Sequence, residues 1–173
     1  MDHDLQTLTS AKRPRTVLAG PYGHPLHPAL VAIPIGAWMA SFAFDLASYV
    51  VPNADFLAEG SRWLIAIGVL GALAAAALGF LDLSAIPRGT RAFRIALLHM
   101  SLNLTVTVLY VIDFVLRLGR SAAPVPLGPV ILSAVALAAL TLSGYLGGEL
   151  AYRYGVRVAD EGTQASGYAQ VNR

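Results

Sequence analysis

No cysteine occurs anywhere in the chain, which excludes disulfide staples, cysteine-ligated iron–sulfur clusters and thiol nucleophiles. Charge is scarce as well. Only 13% of the 173 residues are Asp, Glu, Lys or Arg, too few to cover a soluble domain of that size. There is no Ser-His-Asp order and no phosphate-cradling glycine loop, so neither hydrolase nor nucleotide chemistry has a signature. A polar stretch with Asp2, Asp4, Lys12, Arg13 and Arg15 precedes the first apolar run, and no cleaved signal peptide is expected from it.

What the chain has in excess is apolar surface: 56% of residues are hydrophobic and the mean hydropathy is +0.62. A run of about 18 apolar residues crosses a bilayer as a helix. Four runs qualify, at residues 29–51, 63–83, 92–116 and 127–150. Backbone polar groups inside a bilayer must be paired within the segment, so the fold class expected is all-α, an integral membrane four-helix bundle. Residues 1–23 form a polar N-terminal segment, residues 24–155 the transmembrane domain and residues 156–173 a polar tail.

Lys12, Arg13, Arg15, Arg88, Arg91, Arg94, Arg153, Arg157 and Arg173 fall on one side of four crossings, and Arg62, Arg117 and Arg120 on the other. The positive-inside rule then places both termini in the cytoplasm. The same three basic clusters flank apolar helices, as membrane orientation requires, so they do not indicate nucleic acid.

The polar residues inside the spans repeat at helical spacing. Pro28 suits a first helical position, with His27 as N-cap, and Pro34 should bend the first span. Trp38, Ser41, Asp45 and Ser48 define its inward face, and His99, Asn103, Val106, Tyr110, Asp113 and Arg117 define that of the third span. Gly68, Gly71, Ala72, Ala75 and Gly79 make the second span smooth enough for a helix to approach closely. The fourth span carries Gly144 and Gly148 in a small-xxx-small pattern, and Tyr152 and Tyr154 suit the membrane interface. Gly79-Phe80-Leu81-Asp82-Leu83 and Gly144-Tyr145-Leu146-Gly147-Gly148-Glu149-Leu150 end the second and fourth spans alike. This echo suggests a two-hairpin pseudo-repeat.

Span direction gathers His24, His27, Asp82, His99, Asn103 and Glu149 at the cytoplasmic ends of the four helices. Asp45 lies about 27 Å along the helix from His27 and belongs near the opposite face with Asp113. Arg117, one turn beyond Asp113, is the partner within reach, and a helix-locking polar pair is the expected role. Three readings of the histidine cluster stand side by side. His99 and either His24 or His27 ligate a haem iron, with Asp82, Asn103 and Glu149 orienting the imidazole N–H groups. The three histidines, with Asp82 or Glu149, hold a zinc or iron ion. Or the histidines brace turns and cap helices in a structural polar lock.

The run Gly23-His24-Pro25-Leu26-His27-Pro28-Ala29-Leu30, with Ile33-Pro34-Ile35-Gly36 and Asp45-Leu46, resembles the bacterial membrane family called domain of unknown function 2231. The likeness continues through Gly79-Phe80-Leu81-Asp82, Leu98-His99 with Asn103 and Tyr110, and the stretch from Gly144 to Val156. It implies a four-helix membrane protein without a settled biochemical role. Relatives fused to Rieske or cytochrome domains associate the family with electron transfer. This sequence carries no Cys-His element of a Rieske site, so a separate Rieske or cytochrome partner is expected.

The resulting expectation is a bacterial inner-membrane protein, not an enzyme on its own, that acts as a small redox subunit or haem b carrier. The alternatives are a zinc- or iron-binding protein and a non-catalytic scaffold. Transport is disfavoured by the four-span count and the lack of a broken helix aimed at the midplane. The glycine faces allow a homo-oligomer.

Overall fold

The computed structural model describes residues 8, 9, 11, 12, 16, 17, 20, 24–119 and 123–168. Asp2, Asp4, Arg13, Arg15, Gly23, Arg120 and Arg173, which bear on the N-terminal polarity, the orientation and the family likeness, lie outside the described residues. Four helices are long and apolar enough to cross a membrane. They are α1 (Leu26–Ala47), α2 (Asp55–Ala85), α3 (Arg91–Leu116) and α4 (Leu127–Gly148), the last continuing as a π-helical turn, Glu149–Arg153. A short α5 (Glu161–Ser166) follows, and no strand is present among the described residues. The fold is therefore the all-helical membrane bundle that the apolar runs require.

Proline shapes α1. The helix begins at Leu26 with Pro25 as its N-cap residue, so His27 sits inside the first turn and is not the cap that Pro28 suggested. Pro34 lacks an N–H and its ring crowds the carbonyl four residues back. The helix accordingly splits at Val31 into Leu26–Leu30 and Ala32–Ala47. Backbone bonds from Val31 N to His27 O (3.1 Å) and from Ile35 N to Val31 O (3.3 Å) carry the chain across the break.

The helices pack as two hairpins, α1 with α2 and α3 with α4, and the hairpins meet mainly through α2 and α3. In the first hairpin, small residues set the approach. A Cβ added at Gly68 would run into the Trp38 indole, and one at Gly71 would lie 2.7 Å from Cγ2 of Ile33. Trp38, Ile65, Val106, Tyr110 and Ala136 form the central core, with the Trp38 and Tyr110 rings stacked 4.2 Å apart at 10°. Gly144 and Gly148 face outward, where added Cβ atoms would meet nothing within 4 Å.

The loops reinforce the same pairing. At one end, the α3–α4 connection rests on the α1–α2 connection: Tyr49 donates to the Val125 carbonyl (2.6 Å), and Val125 N donates to Ser48 Oγ (3.1 Å). At the other end, Thr90 caps α3 by accepting from Phe93 N at 3.1 Å. There the chain after α4 folds back over the bundle. Arg157, in the left-handed region at φ 61°, donates its backbone N–H to Ala11 O at 3.1 Å, and Lys12 pairs with Glu161 at 2.8 Å.

Candidate functional site: a histidine pair and a buried ion network

The histidine end is built the same way in both hairpins. His27 of α1 places Nδ1 2.8 Å from the Ala75 carbonyl of α2. His99 of α3 places Nδ1 2.8 Å from the Ser143 carbonyl of α4. A carbonyl only accepts, so each Nδ1 carries a proton, and in the neutral imidazole it is Nε2 that keeps the lone pair. One turn past each acceptor comes a glycine: a Cβ at Gly79 or Gly147 would sit 3.0 Å from Cε1 of His27 or His99 respectively. Glycine there lets the imidazole reach the neighbouring backbone.

The two rings face each other across the hairpin interface, with centroids 6.4 Å apart and planes at 87°. Asn103 spends its amide on the His99 backbone carbonyl (3.0 Å) and straddles the His99 ring, 3.4 Å from Nδ1 and 3.2 Å from Nε2. A donor so nearly equidistant from both nitrogens lies against the ring rather than at the tip of either lone pair. Ser143 Oγ stands 3.0 Å from His99 Nδ1 and donates to the His99 carbonyl at 3.2 Å.

The structure thus separates the six residues expected to converge. His27, His99 and Asn103 come together. His24 is exposed ahead of α1 and stands apart from the imidazole pair. Asp82, one turn beyond Gly79, forms a buried ion pair with Arg157 at 2.9 Å, and Glu149 pairs with Arg153 at 3.3 Å. Among the described residues, no group of three or more His, Cys, Asp or Glu side chains could hold a metal ion. A centre made of all three histidines is not formed, because helix α1 starts after His24 and only His27 is carried onto its inner face.

The opposite end of the bundle holds a second polar cluster. Arg117, at the end of α3, engages all five of its guanidinium N–H groups. Nη1 donates to Asp45 Oδ1 (2.6 Å) and Ser61 Oγ (3.0 Å). Nη2 donates to Asp45 Oδ2 (2.7 Å) and Asp113 Oδ2 (3.0 Å), and Nε to Asp113 Oδ1 (3.0 Å). Ser61 adds a bond to Asp45 Oδ1 (2.5 Å), and Ser133 one to Asp113 Oδ2 (2.8 Å). All four helices contribute, and Asp45, Asp113, Ser61 and Ser133 are completely buried. The Asp113–Arg117 pair was foreseeable one helical turn apart. The reach of Arg117 to Asp45 was not, because it crosses between helices.

The two ends also reveal the repeat. Asp45 and Arg117 lie 72 residues apart, and the same offset relates Trp38 to Tyr110 and His27 to His99. The two hairpins therefore use corresponding positions for their inner layers.

A family model described as "Predicted membrane protein (DUF2231)" matches residues 23–160. No curated protein and no solved structure matches the chain.

Proposed function

We propose, for a chain that belongs to the DUF2231 family of membrane proteins, the role of a small bacterial inner-membrane redox subunit that binds haem b between its two hairpins. His27 and His99 would supply the two axial nitrogens. The observation that carries this reading is the paired imidazole geometry. Metal-ligating histidines characteristically donate their other ring N–H to a backbone carbonyl or carboxylate, which fixes tautomer and orientation. Both histidines do so here, each to a different helix. Two imidazoles that each bond one metal ion at about 2 Å have ring centres roughly 6 Å apart, and the observed separation is 6.4 Å.

The donor count favours haem over a bare ion. Zinc needs three or four protein ligands, and only two imidazoles meet. A porphyrin brings its own equatorial nitrogens, so two axial histidines suffice. When bound, haem supplies one-electron chemistry. The chain's own contribution is to fix two imidazoles by their Nδ1–carbonyl bonds and to hold Asp82 and Arg157 as a buried ion pair one turn beyond Gly79. A separate Rieske or cytochrome protein is the partner class this reading implies, with both termini in the cytoplasm.

The test is an absorption spectrum of the detergent-purified protein from haem-supplemented cells. We expect a Soret band and the low-spin pattern of two imidazole ligands, lost in His27→Ala and in His99→Ala but kept in His24→Ala. Absence of a Soret band, even after added haemin, overturns the reading. The scaffold alternative draws on the same imidazole–carbonyl bonds. Under it, His99→Ala lowers thermal stability with no bound chromophore to lose.

A further inference from the structure

The Arg117 end has a chemistry of its own, on different residues from the histidine pair and independent of what that pair binds. It starts from a charge imbalance. Asp45 and Asp113 present two carboxylates to one guanidinium. Among the described residues, α2 brings the Ser61 hydroxyl to the cluster and α4 the Ser133 hydroxyl, while Glu59 and Arg62 of α2 pair with each other at 3.4 Å. With both carboxylates ionised the cluster holds one uncompensated negative charge in a fully buried position, an arrangement that a low-dielectric interior resists.

The two carboxylates are not held equally. Asp45 receives bonds of 2.6 and 2.7 Å from Arg117 and 2.5 Å from Ser61. Asp113 receives 3.0 and 3.0 Å from Arg117 and 2.8 Å from Ser133. Shorter charge-assisted bonds mark the stronger ion pair, so Asp45 is the counter-ion of Arg117 and Asp113 is the more weakly held partner. The Tyr110 side chain, one turn before Asp113 on α3, is completely buried, and its hydroxyl has no hydrogen-bond partner among the described residues.

We propose that Asp113 is a proton-binding site of the bundle. One proton from solvent adds to Oδ2, converting the carboxylate to the acid and leaving Oδ1 to accept from Arg117 Nε. Ser133 Oγ, now a donor at 2.8 Å, reverses and accepts from the new acid O–H. The cluster becomes neutral, with Arg117 and Asp45 as its ion pair.

Infrared spectroscopy of the purified full-length chain in lipid nanodiscs tests this. At neutral pH, where exposed carboxylates are ionised, we expect one carboxylic-acid C=O band that shifts in D2O, disappears in Asp113→Asn and persists in Asp82→Asn. If Asp113→Asn does not fold, Ser133→Ala serves: loss of the acid's acceptor should shift the band. Absence of any acid band at neutral pH overturns the proposal. So does a band that survives Asp113→Asn or, in the second variant, does not move.

Discussion

The two ends of the bundle are made from corresponding positions of two hairpins, yet they finish their chemistry differently. At the Arg117 end every guanidinium N–H has an acceptor and every carboxylate oxygen a donor. At the histidine end each imidazole satisfies one nitrogen on a backbone carbonyl and leaves the other nitrogen's lone pair directed away from it. Burial alone does not distinguish a lock from a binding site. What distinguishes them is what the completed fold leaves open: room for no more than a proton within the saturated ion network, and a ring nitrogen without a backbone partner at each imidazole.

That contrast is broken most severely at Arg117. Arg117→Ala leaves the buried Asp45 carboxylate without its cation, and breaking a buried pair from one side costs about 3–5 kcal/mol. We expect this substitution to lower thermal stability more than a change at the middle layer or the histidine end, read by a heating assay in detergent. Arg117→Lys should recover only part of the loss, since an ammonium cannot reproduce two planar forks. If Arg117→Ala melts with the wild type, the network is not a lock.

The middle layer tests whether the ends are mechanically linked. Gly68 lies flush against Trp38, which stacks on Tyr110 between the two clusters. An indole is rigid, so Gly68→Ala must displace the ring or the helix. Overpacking of this kind costs about 1–3 kcal/mol. The informative result is a stability loss accompanied by a change in Trp38 fluorescence; a silent Gly68→Ala would mean the hairpins are packed more loosely than the stacked rings imply.

Much of this arrangement was legible in the chain because periodicity fixes faces. Trp38, Ser41, Asp45 and Ser48 read as inward and are buried, and so are Val106, Tyr110, Asp113 and Arg117 of the third-span stripe. The glycines of the second span read as a close-approach surface and meet His27, Ile33 and Trp38. What escaped depends on contacts between elements. Arg117 reaches Asp45 across helices, and Arg157 reaches Asp82 only because a left-handed residue turns the chain back over the bundle. The split between His24 and His27 turned on where α1 starts. Proline is tolerated throughout a first turn, so Pro28 fits a helix capped at Pro25 as well as one capped at His27, and the structure takes the former. Glu149 was assigned to the right end, but the π-helical turn delivers it to Arg153.

At the histidine end the expected stability effect is smaller. Side-chain hydrogen bonds between membrane helices average about 0.6 kcal/mol, so His27→Ala and His99→Ala should each lower stability modestly while abolishing any haem spectrum. Gly79→Val sharpens the point without touching a ligand. Its Cβ alone would come within 3.0 Å of the His27 ring, so the bulkier side chain should push Nδ1 off the Ala75 carbonyl. A spectrum altered toward that of His27→Ala, at a stability loss no greater than Gly68→Ala, would show that the carbonyl bond orients the ligand. An unchanged spectrum would assign that bond to packing alone.

The smallest effect belongs to the surface closure over the histidine end, where Lys12 meets Glu161 at 2.8 Å. The Lys12 hydrogen bond holds the Glu161 carboxyl below its ordinary value of 4.5. A carboxyl depressed in the folded state contributes stability that is fully present above its unfolded pKa and is lost as pH falls through the folded one. Glu161→Gln should therefore melt slightly below the wild type at neutral pH, and the two curves should merge at pH values well under the carboxylate range. Exposed pairs are screened, so added salt should shrink the neutral-pH difference as well. A difference that persists unchanged in acid would mean that Glu161 acts through packing of α5 and not through its charge. The contrast with Arg117, whose buried network salt should not weaken comparably, separates a closure held from outside by charge from a lock held inside by geometry.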